Sequence, residues 1–317
     1  MAKDGFELYR YTPELGASIL FTVLFAVSGV AFVILLFHYS VKSKRRVGSL
    51  MKSQPVLRYY GTVNLAGAYI PFIFGCFVEC VGFAFRCKSS KDTTLLNPYI
   101  IQTVFLLVSP TLYAASIYMI FGRMATLLFA ENLMIMPARF NTTIFVIGDV
   151  GSLLLQAIGG AMMSKVTSAS SGSHLVTAGL FIQIAFFGLF IINEVLFIFK
   201  MSKKPTSVSV RYGSWKYLNI ALLVNSFLIL IRSIVRAVEF IQGYDGEIAS
   251  HEWYLYIFDG LPMFLLVLIF IVAFPLINIC RIHEESIQAQ QSARFDGTDY
   301  PDVEVTSIEE DLASKSE

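Results

Sequence analysis

Apolar residues along the chain gather into seven long runs, separated by charged and turn-forming stretches: 17–37, 60–85, 99–121, 142–163, 175–199, 217–240 and 253–279. Each reaches about 20 residues, the length of helix that crosses about 30 Å of hydrocarbon. The pattern predicts an all-α polytopic membrane protein with seven transmembrane helices. The third run extends toward Ala130, because 124–129 is also apolar. The first run is too long for the core of a cleaved leader, and Asp4, Glu7 and Glu14 stand where a leader's basic segment would be.

Composition agrees with the bilayer as solvent. Of 317 residues, 56% are hydrophobic and 15% are charged, with a mean hydropathy of +0.65. Soluble domains carry about 25% charged residues, so this chain cannot cover a water-facing surface of its own size. The four cysteines are too few for a disulfide scaffold and sit in or beside apolar runs, as small apolar residues do.

Charge then gives an expected orientation. Sixteen Lys and Arg fall in the first, third and fifth loops and the tail, against six in the N-terminus and the remaining loops. Basic loops are retained on the cytoplasmic side, so the N-terminus is expected outside and the C-terminus inside. The division is an extracellular N-terminus (1–16), a seven-helix bundle (17–280) and an acidic, disordered cytoplasmic tail (281–317). The tail holds ten acids and three bases, which leaves the first 280 residues with a net +8 behind an overall +1. The near-neutral total argues against a nucleic-acid partner. Asn141-Thr142-Thr143 fits the N-glycosylation pattern but falls on the expected cytoplasmic side and is expected to stay unmodified.

Ionisable residues inside the runs are the informative ones, since each costs about 2.5–3.5 kcal/mol at the bilayer centre on insertion scales. Arg232, Arg236 and Glu239 share one face of the sixth run at i, i+4 and i+7. Glu79 and Arg86 share a stripe of the second, and Glu252 and Asp259 lie near the outer end of the seventh. Together they are expected to form a buried ionic cluster open toward the outer side, either a salt-bridge network that fixes packing or a substrate site. Asp149, Ser152 and Gln156 make a second stripe on the fourth run, where Gly148, Gly151, Gly159, Gly160 and Ala161 should let a neighbouring helix come close. A carboxylate at the depth of Asp149 needs a proton or a partner. Pro110 and Pro275 should kink the third and seventh runs. Asn193 and Glu194 approach the inner end of the fifth, with Glu194 in reach of Lys200.

No phosphate-binding G-x-x-x-x-G-K-[ST] and no H-E-x-x-H occurs. His38, His174, His251 and His283 fall at different depths and cannot gather around one metal. No cofactor, metal or enzymatic activity is expected.

Several stripes resemble the fungal lipid-translocating exporters, the RTA-like family. They are Glu79 to Gly82 with Arg86; Pro110 to Tyr113, Ala115, and Tyr118 to Arg123; Gly148-Asp149, Ser152, Gln156 and Gly159-Gly160; and Arg232, Arg236, Glu239, Gly243, Gly246, Glu252, Tyr256 and Asp259. The resemblance implies seven helices, movement of sphingoid bases and related amphiphiles, and resistance to toxic amino-sterols, most naturally at the plasma membrane. One departure is Phe274-Pro275, where a His-Pro pair is expected in the family. On this reading Glu79, Asp149, Gln156, Arg232, Arg236, Glu239 and Asp259 are the candidate substrate-binding residues, with an amphiphilic lipid or sterol-like substrate and the bilayer as partners. A seven-helix receptor or sensor remains the alternative, although Phe121-Gly122-Arg123 lacks the acid-Arg-aromatic triplet of G-protein-coupled receptors.

Overall fold

The computed structural model describes residues 13–53, 65–92, 95–136, 138–163, 168–242 and 251–295. Among them there is no strand. The long helices are α1 (Leu15–Ser53), α2 (Ile70–Lys91), α3 (Leu96–Leu127), α4 (Ala138–Met163), α5 (Ala169–Lys203), α6 (Ser214–Gln242) and α7 (Glu252–Ala273), followed by α8 (Ile279–Phe295). The first seven are long and apolar enough to span a membrane, so the bundle reproduces the seven expected crossings. Several parts of the sequence reading lie outside the described residues: most of the N-terminus, the start of the second run, Gly243, Gly246, and the tail from Asp296 onward.

An apolar coat faces outward, with Ile34, Phe37, Phe181, Leu189 and Phe199 exposed, as lipid contact requires. Inside, α3 is the most enclosed span. Its Tyr113 stacks into an aromatic group with Phe72 of α2, and Phe72 meets Phe32 of α1 and Phe270 of α7. α3 ends at a left-handed residue, Phe129 (φ 55°), where the N–H of Ala130 reaches back to Ala125 O and that of Phe129 to Thr126 O.

The α4–α5 contact confirms only part of the small-residue expectation. A Cβ on Gly159 would lie 2.7 Å from the carbonyl of Gly172, and one on Gly172 would lie 2.6 Å from that of Gly159, so the two backbones touch there. Gly148 accommodates Phe186. Gly151 and Gly160 face open space and Ala161 is exposed, so these three do not serve the packing.

Prolines shape the other spans. Pro262 cannot donate to the carbonyl four residues back, and the turn just before it, Tyr256–Gly260, widens to a π-helix in which the N–H of Leu261 bonds Tyr256 O. α7 stops at Ala273, earlier than the expected 279, with Pro275 in the break.

The expected disordered tail begins too early. Residues 279–295 are helical, and α8 packs back on the bundle with Ile282, His283, Ser286 and Ile287 buried. Its polar residues complete other helices: Ser286 Oγ donates to Leu127 O at the end of α3, and Gln291 Nε2 to Leu50 O in α1. Burial of its apolar stripe and these bonds to carbonyls at helix ends order this charged segment.

Candidate functional site

The bundle has two polar regions at the end where α1, α3 and α7 begin and α2 and α6 finish. In the first, Glu252 of α7 accepts Arg86 Nη2 at 2.8 Å and the Tyr256 hydroxyl at 2.9 Å. Both Glu252 oxygens also accept the N–H of Glu14, at 2.8 and 3.0 Å. Glu252 thus caps α1 from another helix, where the positive end of the helix dipole favours an anion. Arg86 Nε donates to Tyr256 Oη (3.1 Å), and Ser18 Oγ lies 2.8 Å from the same hydroxyl. Arg86 therefore pairs with α7, and its spacing from Glu79 does not bring those two together.

In the second region, Asp259, carried on the widened turn, forms ion pairs with both Arg232 and Arg236 of α6. Arg236 Nη1 also meets Glu239 at 3.1 Å. Arg232 Nη2 donates to Leu106 O of α3 at 2.6 Å. That carbonyl is available because Pro110, four residues on, has no N–H to give it. Two arginines and two carboxylates balance, and each has a partner.

Glu79 is the exception. It is 0% exposed and sits within electrostatic reach of Asp259, Arg232 and Arg236; the nearby Ser109 hydroxyl spends its proton on Gly75 O at 3.0 Å, which leaves both carboxylate oxygens without a donor.

A third group lies deeper, between α3, α4 and α5. Tyr118 Oη donates to Asp149 Oδ2 at 2.8 Å, leaving Oδ1 without a partner, and Ser152 bonds its own helix at Asp149 O. Gln156 Nε2 meets Gln183 Oε1 at 3.0 Å. Asp149 and Gln156 thus belong to a site distinct from the α6–α7 cluster. Glu194 corrects its expectation: it is wholly buried, accepting Ser226 Oγ at 3.2 Å, not an interfacial group facing Lys200. Asn141 of the glycosylation pattern is also buried, with its Oδ1 accepting Asn193 Nδ2 at 2.9 Å.

Of the seven candidate residues, five gather at the α6–α7 cluster and two at the α4 stripe. Sequence reasoning missed Ser18, Leu106 and Gln183. The proline-minus-four rule would have pointed to Leu106; nothing in the sequence singled out the others. No group of three or more His, Cys, Asp or Glu among the described residues is placed to hold a metal, and their four cysteines are free.

Seven apolar helices of spanning length around a charged interior define a polytopic integral membrane protein. The chain belongs to the RTA1 like protein family, whose model matches residues 72–281. It is 99% identical over all 317 residues to Protein RTA1 of Saccharomyces cerevisiae, covering the whole of both chains. It is 45% identical over 282 residues to Protoporphyrin uptake protein 1 of the same yeast, covering 85% of this chain and 92% of that protein. It is 25% identical over 231 residues to the yeast Sphingoid long-chain base transporter RSB1, covering 61% and 60% respectively. No solved structure matches the chain.

Proposed function

We propose that this protein transports cationic amphiphiles, of the sphingoid-base or amino-sterol class, across the plasma membrane, and that their efflux confers resistance to toxic amino-sterols. The apolar body of such a molecule is at home in the bilayer, whereas its charged, hydroxylated head needs a polar route. The names of the relatives point to cargoes of different charge, since a sphingoid base is an amine and protoporphyrin carries carboxylates. What favours an amine is Glu79: a buried carboxylate with neither oxygen bonded, beside arginines already held by Asp259, Glu239 and Leu106 O. An ammonium head would supply the missing partner. Asp149, with one bonded and one unbonded oxygen, is a second station. The excess of basic loops supports an outside N-terminus and an inside C-terminus, which accessibility of single cysteines added at each end would test.

Purified protein in liposomes, loaded with a fluorescent sphingoid base, tests the reading. Expected are accelerated movement with the native chain and loss of most of that acceleration in Glu79→Gln at equal incorporation. No acceleration by the native protein would favour a receptor acting through signalling.

A further inference from the structure

At the opposite end of the bundle, a cavity of about 520 Å³ opens between the C-terminal part of α1, the α7–α8 break and α8. That volume falls in the range of small-molecule sites, roughly 300–1,000 Å³. Its charged lining is Lys42 and Arg46 of α1 with Arg281, Glu284 and Glu285 of α8, a net +1.

The charges are not equally engaged. Arg46 meets Glu284 at 3.3 Å, and Arg281 meets Glu285 at 3.2 Å while also donating to Leu276 O at 2.9 Å. Lys42 has no carboxylate within salt-bridge distance among the described residues and only rests 5.9 Å from the Tyr39 ring. The next residue, Ser43, is 2% exposed, and its hydroxyl rests against the Cys280 thiol of the same lining. An ammonium with no carboxylate partner among the described residues and a hydroxyl held by a thiol, a weak hydrogen-bonding group, line the same cavity. Asn278 fixes its floor, bonding Phe274 O through Nδ2 and the N–H of Arg281 through Oδ1.

We infer that this cavity binds the phosphodiester head of an anionic glycerophospholipid, with Lys42 and Ser43 contacting the phosphate. A phosphodiester carries a single negative charge and only accepting oxygens on phosphorus, which matches the net +1, the Lys42 ammonium, and a Ser43 hydroxyl that gains by exchanging a thiol for a phosphate oxygen. The surroundings favour a lipid over free phosphate. Phe37 and Val41 of α1 and Leu276 beside Pro275 are exposed apolar groups at the level where α1 turns from apolar to basic, so acyl chains have a surface to follow. The inference is independent of the transport reading, because it concerns the other end of the bundle and needs no substrate movement.

The test is thermal unfolding of the full-length protein in a neutral detergent, titrated with dioctanoyl phosphatidylglycerol, dioctanoyl phosphatidylcholine or inorganic phosphate. Phosphatidylglycerol should raise Tm by several degrees and the other two much less. The double variant Lys42→Ala with Ser43→Ala should need about tenfold more phosphatidylglycerol for the same shift. Lys44→Ala, an exposed neighbour that does not line the cavity, should respond like the native chain. Equal shifts with phosphatidylcholine, or an unchanged response in the double variant, would overturn the site. Equal loss in Lys44→Ala would reduce it to general surface charge, and an equal shift with inorganic phosphate would make it a free-anion site.

Discussion

Pro110 and Arg232 meet at the carbonyl of Leu106. The proline withholds the N–H that would close the α3 hydrogen bond, and the arginine of α6 donates to the vacated oxygen at 2.6 Å. A helix defect and a buried charge satisfy each other, and the same guanidinium also holds Asp259. What looks in sequence like a kink and an unrelated intramembrane cation is one joint between two helices.

That joint should show up as coupling in a double-mutant cycle. Arg232→Ala leaves Asp259 and Leu106 O short of a donor and should cost about 3–5 kcal/mol, read from unfolding in mixed micelles. Pro110→Ala restores an N–H to α3. It should help by about 1 kcal/mol more in the Arg232→Ala background than in the native one. Additive effects would separate the two residues.

Glu79 and Asp259 are neighbouring acids with opposite expected responses to neutralisation. Asp259→Asn removes the counter-charge of two arginines and should lower Tm sharply. Glu79→Gln removes a carboxylate that bonds nothing within the protein and should leave Tm unchanged or raise it. A large destabilisation by Glu79→Gln would mean that this carboxylate serves the fold.

At the α4–α5 crossing, Gly159→Ala places a methyl 2.7 Å from the Gly172 carbonyl, and neither backbone has slack to move. The expected loss is about 1–3 kcal/mol. Gly160→Ala, one residue on but facing open space, should change stability by less than about 0.5 kcal/mol. Comparing the two tests the backbone contact without altering charge.

His283 gives the fold a defined acid sensitivity. Burial in α8 lowers its pKa from 6.5 to about 4, so the unfolded chain binds a proton that the folded chain refuses. Stability is therefore unaffected above about pH 6.5 and falls as pH drops toward 4, by up to about 3 kcal/mol. Tm measured between pH 7.5 and 5 should fall less in His283→Gln than in the native protein.

The seven crossings were legible because hydrocarbon leaves few alternatives: a 20-residue apolar run has to be a helix, and its length sets the count. Helical spacing likewise placed Arg232, Arg236 and Glu239 on one face. Partner choice was not legible. Glu79 and Arg86 share a stripe, yet the arginine turns to Glu252, because pairing depends on how α7 packs beside α2 and no spacing within one helix encodes that. The tail was misread at its start for a related reason. Its composition is that of solvated chain, whereas Ile282, Ile287 and Ala289 are buried against the bundle and Ser286 and Gln291 meet the carbonyls of Leu127 and Leu50, which together hold its first turns, about four, as helix.

The bond between Glu252 and the N–H of Glu14 spans 238 residues. During synthesis α1 enters the membrane first, with the N–H of Glu14 unanswered, and the carboxylate that accepts it arrives with the last crossing. The bundle is thus closed by its final span, and a chain interrupted before Glu252 would hold five helices beside a first one still unfinished.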